Sequence, residues 1–391
     1  MKPWSFVKLV ALSLVLIMAY ASAMAKDEDG RADAFVTRVQ PFVESHSLAG
    51  AVMLVAGKDR TLAIRTVGFA DIAANVPMRP DDLFWIASET KPITATALMM
   101  LVDEGKIHLD DPVAKYLPEF YNMWVKADQI GDRLELRRPQ HPITIREILS
   151  HTSGMPFMSA MEQPTLDVLP LRDSVRSYTL TPMESEPGTR YQYSNAGVNT
   201  AGRIIEVVSG MPYEQFLSER LFKPLGMKNT TFRPTARQIA RLAKSYKPND
   251  AKTNLVETTI TQLKYPLDDP GRHPFPAGGL FSTASDLAKF GRMMLNRGML
   301  DGRRYVSEAA VQEMTRKQTS ANIPDSYGLC WGTFGGAFGH GGAYATNLEI
   351  DPNRGLVLIW MVQHAGFANN GEKAYEAFKE AAIAKFGGPA K

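Results

Sequence analysis

The chain has 391 residues, with 44 Lys and Arg against 41 Asp and Glu for a formal charge of +3. That length supports one large domain or two modest ones with a core that needs no staple, and the balanced charge excludes a phosphate-tracking surface, so nucleic acid is not expected as a partner. The single cysteine, Cys330, permits no internal disulfide; it lies in the apolar run Tyr327–Trp331 and reads as core packing rather than as a thiol nucleophile.

At the start of the chain, Lys2 and Lys8 precede an apolar run from Leu9 to Ala21, then Ala-Ser-Ala-Met-Ala over 21–25 and the charged Lys26–Asp29. This order reads as a secretory signal peptide over residues 1–25, cut after Ala25 or Ala23, with a periplasmic or secreted product. An uncleaved anchor is the alternative, but the run is shorter than the ~20 residues a spanning helix needs, and no cysteine follows it for lipidation. No stable membrane anchor is therefore expected after cleavage.

Apolar spacing next predicts a helix over Ala34–Val43 and two strands, Ala49–Val55 and Thr61–Val67, around the polar turn Gly57–Arg60. Phe84–Ala87 is strand-like and passes into a helix that is apolar nearly all round and stops at Gly105, as expected of a buried central helix. Pro92 fits only in its first turn, where backbone N–H groups lack intrahelical partners. From Asp110 to about Pro274 strand signals are scarce, and helices at Thr144–Leu149, Asn199–Ser209 and Tyr213–Leu221 are separated by loops. A helix over Ser285–Leu295, strands at Tyr327–Phe334, Ala345–Ile350 and Leu356–Val362, and a helix over Gly371–Phe386 complete the chain. The expected class is α/β (α+β): a lobe built from about 26–110 and 275–391, interrupted by a mostly helical lobe over about 111–274. No internal repeat or low-complexity tract is visible.

Three segments carry chemistry. In Ser88-Glu89-Thr90-Lys91 a hydroxyl and an amine stand three residues apart, on one face of a helix. Spacing alone says little, since Ser5 to Lys8 repeats it, but Ser88 lies where a strand-like run enters a buried helix, near that helix's positive end. A lysine held there loses hydration and becomes a usable base for Ser88. The competing reading is a capping serine with an exposed lysine. Tyr193-Ser194-Asn195 lies in the turn Pro187–Gly197 ahead of a helix, and Phe338-Gly-His-Gly-Gly-Ala343 precedes a strand, where glycines often mark close approach of a ligand or another backbone. A packed tyrosine and a tight hairpin are the plain alternatives.

In this order the segments resemble the serine β-lactamase and penicillin-binding-protein superfamily. The Tyr-x-Asn form is similar to the branch holding class C β-lactamases, D-alanyl-D-alanine peptidases and family VIII carboxylesterases. Ile148–Gly154, Pro187–Gly197 and Leu221–Met227 extend the likeness over roughly residues 34–385. The resemblance implies an antiparallel sheet flanked by helices, Ser88 as the acylated nucleophile, Lys91 as its proton acceptor, and Tyr193 as a general base. Asn195 would bond to substrate and to Lys91, and the N–H groups of Ser88 and Ala343, beside Gly341 and Gly342, would form the oxyanion hole. A cationic Lys91 beside the phenol would lower the Tyr193 pKa toward a phenolate.

His340 stands where lactamases carry lysine, which turns the likeness toward peptidase-like and esterase-like members. As an imidazole with an ordinary pKa near ~6.5 it would be mostly neutral at pH 7 and gain charge in acid. His151 with Ser153 suggests a rival pair, but the resemblance assigns His151 to a structural loop. No cluster has metal-ligand spacing, so neither metal nor cofactor is expected. The implied function is a serine hydrolase of small to medium carboxylic esters, with β-lactams or D-amino-acid peptides as alternative substrates; a silent binding protein is the third reading, against which the intact Ser88, Lys91 and Tyr193 argue.

Overall fold

A computed structural model describes residues 34–388; the signal-peptide reading falls outside them. A helix over residues 34–44 (α1) leads into strands β1 (Gly50–Ala56), β2 (Thr61–Asp71) and β3 (Val76–Pro77). The far end of the chain supplies β4 (Gly332–Phe334), β5 (Ala337–Gly341), β6 (Asn347–Asp351) and β7 (Leu356–Met361). These seven strands form one antiparallel sheet in the order β4-β5-β6-β7-β1-β2-β3, closed across the chain ends by pairs such as Val52 with Met361.

Every residue of β1 and β7 is buried, yet alternate side chains serve different cores. Val52, Leu54, Ile359 and Met361 face the main core, while Ala51, Met53, Leu358 and Trp360 face a second core under the terminal helices. This period-2 division is what a strand covered on both faces requires. Phe35 of α1 meets Phe378 of the last helix, Ala374–Phe386, edge-on at 5.6 Å.

On the other face lie α2 (Thr90–Asp103), α3 (Asn195–Ser209) and α4 (Ala284–Leu295). In α2 every residue from Thr90 to Leu101 is buried. α2 packs against α3, and α4 against β1 and β7. Ser194 caps α3 by accepting the Gly197 N–H at 3.0 Å, so this helix starts four residues earlier than its apolar pattern predicts.

The intervening segment contains two hairpins that the scarcity of strand signals did not predict: Val125–Ile130 with Arg133–Arg137, and Ser245–Pro248 with Leu255–Thr258. Only Gly332–Phe334 of the expected strand Tyr327–Phe334 is extended in the sheet, and the His340 segment is itself a strand rather than the turn before one. Among the described residues no helix is long and apolar enough to cross a membrane.

Candidate active site

Ser88 lies on a single turn of 3-10 helix, Ala87–Glu89, between the short strand Phe84–Trp85 and α2. The turn is sharp because Ala87 takes a φ of +45°, a left-handed conformation that costs a non-glycine residue roughly 1–2 kcal/mol. Neighbouring groups hold it: the Ile86 N–H donates to Leu280 O at 3.0 Å, and the Trp85 indole donates to Gly278 O at 2.7 Å. The serine is thereby presented at the start of α2.

Lys91 follows one turn later and is fully buried, which excludes the capping serine with a solvated lysine. Its Nζ donates to Ser88 Oγ at 3.0 Å and to Ala277 O at 2.7 Å, and it lies 4.6 Å from the centre of the Tyr193 ring. Loss of hydration lowers its pKa from 10.5 to about 7. Near neutral pH a large fraction is therefore free amine, able to take the serine proton.

Tyr193 stands above this pair, its ring tilted against buried His151 at 4.4 Å. Burial raises its pKa above the ordinary 10, and a hydrogen bond with Ser88 offsets only part of that rise. The expected phenolate is thus corrected: desolvation outweighs any help from Lys91, and Tyr193 rests as the neutral phenol. His151 does not pair with Ser153. Its Nδ1 accepts the Ser194 N–H at 3.1 Å, which fixes the Tyr193–Ser194 backbone, and its Nε2 has no hydrogen-bond partner.

His340 of β5 faces the same cluster. Its Nδ1 lies 2.8 Å from Gly341 O and its Nε2 3.0 Å from the Tyr327 hydroxyl, with the Tyr193 hydroxyl at 3.5 Å. A neutral ring with its proton on Nδ1 satisfies both near contacts, donating to the carbonyl and accepting from Tyr327. Burial first, and the Lys91 charge second, lower its pKa to about 3. The expectation that His340 titrates near 6.5 is therefore corrected, since loss of water and a nearby cation both disfavour the imidazolium.

Asn195 opens α3 with its Oδ1 buried and without a hydrogen-bond partner. The expected bond from Lys91 to Asn195 is not made; Lys91 donates to Ala277 O instead. Gly341, Gly342, Ala343, Asn195, Tyr193 and Ser88 line one cavity of about 310 Å³ together with Trp85, Phe157, Leu166 and Phe275. Glycine at 342 is a steric need: a Cβ there would stand 2.6 Å from Ile86 O, so only glycine lets this strand end lie beside the serine turn. The Leu166 and Phe275 walls are tied together by the buried pair of Arg272 and Asp167 at 2.7 Å.

Three participants escaped the sequence reading. Ala277 contributes only backbone, Asn199 sits one turn beyond Asn195 inside α3, and Glu89, within the Ser-x-x-Lys segment, is a fully buried carboxyl whose pKa burial raises to about 8. Only the Pro-Ala-Gly-Gly turn at 276–279 hints at the first. Among the described residues no group of three His, Cys, Asp or Glu is placed to hold a metal.

Comparison with known proteins bears on the family and the fold. The Beta-lactamase family model matches residues 35–382. An uncharacterized protein of Mycobacterium tuberculosis is 31% identical over 355 residues, covering 81% of this chain and 86% of its own. A protein of Salmonella agona named putative D-alanyl-D-alanine carboxypeptidase is 30% identical over 324 residues, covering 73% and 71%. In fold, the chain is similar to EstCE1, described as a hydrolase with promiscuous acyltransferase activity (TM-score 0.76, 22% identity, 91% of this chain and 99% of that one). It is also similar to the simvastatin synthase LovD of Aspergillus terreus (TM-score 0.74, 22% identity, 89% and 96%). The chain belongs to the Beta-lactamase family, a family of serine hydrolases.

Proposed function

We propose that the protein is an exported carboxylesterase that works through an acyl-enzyme on Ser88. The observation that carries the ester reading is the lining of the cavity: among the described residues that form it none bears a charge, while Trp85, Phe157, Leu166 and Phe275 offer apolar surface. A neutral acyl group buries favourably there, whereas a substrate carboxylate finds no fixed cation because His340 is neutral.

In the proposed sequence the Lys91 amine takes the Ser88 proton as Oγ attacks the acyl carbon. The resulting oxyanion is met by the N–H groups of Ser88 and Ala343. Tyr193, held as a phenol, gives its proton to the departing alkoxide and recovers one from Lys91. Water then attacks the acyl-enzyme, passing its proton back through the same pair and releasing Ser88 and the carboxylic acid.

A second reading, a peptidase of D-amino-acid peptides, is favoured by the 30% identity to the Salmonella agona protein of that name. The deciding assay compares kcat/KM of the mature enzyme on p-nitrophenyl butyrate, a chromogenic cephalosporin and a D-Ala-D-Ala peptide. Preference for the ester supports the proposal; preference for either of the others overturns it.

A further inference from the structure

Lys91 has two hydrogen-bond acceptors, and one of them, the Ala277 carbonyl, is held by a set of buried side chains that the proposed chemistry does not use. We infer that Asn199 is a positioning residue for Lys91, acting through the Ala277 backbone and fixed in turn by Tyr178 and Glu162. The inference rests on Ser88 and Lys91 as the acylating pair.

The peptide unit between Pro276 and Ala277 is tied at both polar groups. Its carbonyl accepts from Thr94 Oγ1 of α2 at 2.8 Å, and its N–H donates to Asn199 Oδ1 of α3 at 3.0 Å. Two helices therefore set the plane of this peptide, and the next carbonyl, that of Ala277, is turned onto Lys91 Nζ. The strap lies directly on α3 because Gly202, three residues beyond Asn199, has no side chain; a Cβ there would stand 2.8 Å from Pro276 Cβ.

The Asn199 amide has one workable orientation. With Oδ1 receiving the Ala277 N–H, its Nδ2 donates to the Tyr178 hydroxyl at 2.8 Å. Tyr178 must then be the donor to Glu162 Oε1 at 2.6 Å, and Glu162 Oε2 accepts the Ser159 N–H at 2.8 Å. Reversing the amide would set NH₂ against N–H, two donors with nothing to accept. Asn199, Tyr178 and Glu162 are each 1% exposed or less, so water cannot replace a missing partner.

This matters for the base. As free amine, Lys91 has two N–H donors and one lone pair; giving an N–H to Ala277 O leaves the lone pair for the Ser88 hydroxyl. As ammonium, it is stabilised by the same carbonyl against its burial. The other titratable groups facing Lys91 supply no charge: burial pushes the Cys330 thiol up to about 12 and holds Tyr193 as phenol, while His151 and His340 are both pushed down to the neutral form.

The test uses covalent labelling of Ser88 by a fluorophosphonate across pH 5.5 to 9, which does not depend on which substrate is natural, together with kcat and KM on one ester. In Asn199→Ala the labelling rate is expected to fall on the order of 10-fold to 100-fold, with kcat falling in step and KM little changed. The acid limb of the profile should move to lower pH as the ammonium loses its acceptor. Tyr178→Phe, which leaves Asn199 in place but unbuttressed, should shift both readouts the same way by less. A purely structural role would lower the melting temperature while leaving rate per labelled site and acid limb at native values; that result overturns the inference. If Asn199→Ala does not fold, Tyr178→Phe decides on the same criteria. Failure of the native protein to label would overturn the acylating pair and this inference with it, whereas a peptide preference in the substrate assay would leave it standing.

Discussion

Replacing Lys91 with methionine separates what the residue costs the fold from what it does for Ser88. The native pKa of about 7 lies far below the ordinary 10.5 because the ammonium is buried. At about 1.4 kcal/mol per pH unit, holding the charged form in the core costs roughly 5 kcal/mol. The sign follows from proton binding. Between about pH 7 and 10.5 the unfolded chain carries a proton that the folded chain has released, so native stability rises with pH across that window and the penalty is complete below it. Methionine has similar bulk and no charge, but it strands the Ala277 carbonyl, which costs about 1–3 kcal/mol. At pH 7, where about half of the folded lysine is already free amine, Lys91→Met should therefore be more stable than native by about 1–3 kcal/mol, and this advantage should shrink by roughly 2 kcal/mol by about pH 9. Urea denaturation of both proteins across that range measures the difference, and fluorophosphonate labelling confirms loss of the activated serine. A variant less stable than native at pH 7, or a difference flat with pH, would refute the placement of a low-pKa lysine in the core.

The same lysine predicts that kcat/KM rises with pH along an acid limb centred at about 7, losing close to tenfold per unit below it. Because His340 stays neutral throughout, the rate ratio between a cephalosporin and p-nitrophenyl butyrate should be flat from about pH 5.5 to 8.5; a ratio climbing in acid would show an ordinary imidazole. His340→Lys should shift selectivity toward carboxylate-bearing substrates by about 1 kcal/mol or somewhat more, the scale of a charge-assisted hydrogen bond, and an unchanged ratio would remove this residue from substrate choice. Tyr193→Phe keeps the ring packed on His151 but removes the hydroxyl, so kcat should fall by roughly 10²–10⁴ with the melting temperature held, and near-native kcat would exclude a proton-transfer role. Gly342→Ala should lose both activity and thermal stability, since its Cβ collides with the Ile86 carbonyl beside the nucleophile turn; tolerance would mean the strand end is free to move.

What the sequence discloses and what it hides divide along physical lines. Ser88 and Lys91 are legible because a helix places residues three apart on one face, and the helix is legible because it is apolar all round. Strands β1 and β7 are legible as apolar runs buried on both faces. The hairpin Val125–Ile130 with Arg133–Arg137 is not: all but its first two residues are exposed, and the only alternation, Leu134 and Leu136 among charged residues, spans two apolar positions that pack into no core. Protonation states are hidden for a different reason. His340 owes its lowered pKa first to burial beside Tyr193 and Tyr327 and second to Lys91, residues that the fold gathers from separate parts of the chain. Tyr193 shows how a local argument fails: its cationic neighbour is visible in the motif order, but the burial that outweighs it is not. Ala277 meets Lys91 through its backbone carbonyl and the Asn199 amide meets the Ala277 N–H, contacts made across the fold that no local residue pattern announces.

The most direct test of the central claim is intact-protein and peptide mass spectrometry after exposure to a fluorophosphonate, in native protein and in Ser88→Ala. The account predicts one adduct per native chain, on the peptide carrying Ser88, and neither adduct nor ester turnover in the variant. Labelling or turnover that survives in Ser88→Ala, or an adduct mapped to Ser153 instead, would contradict it.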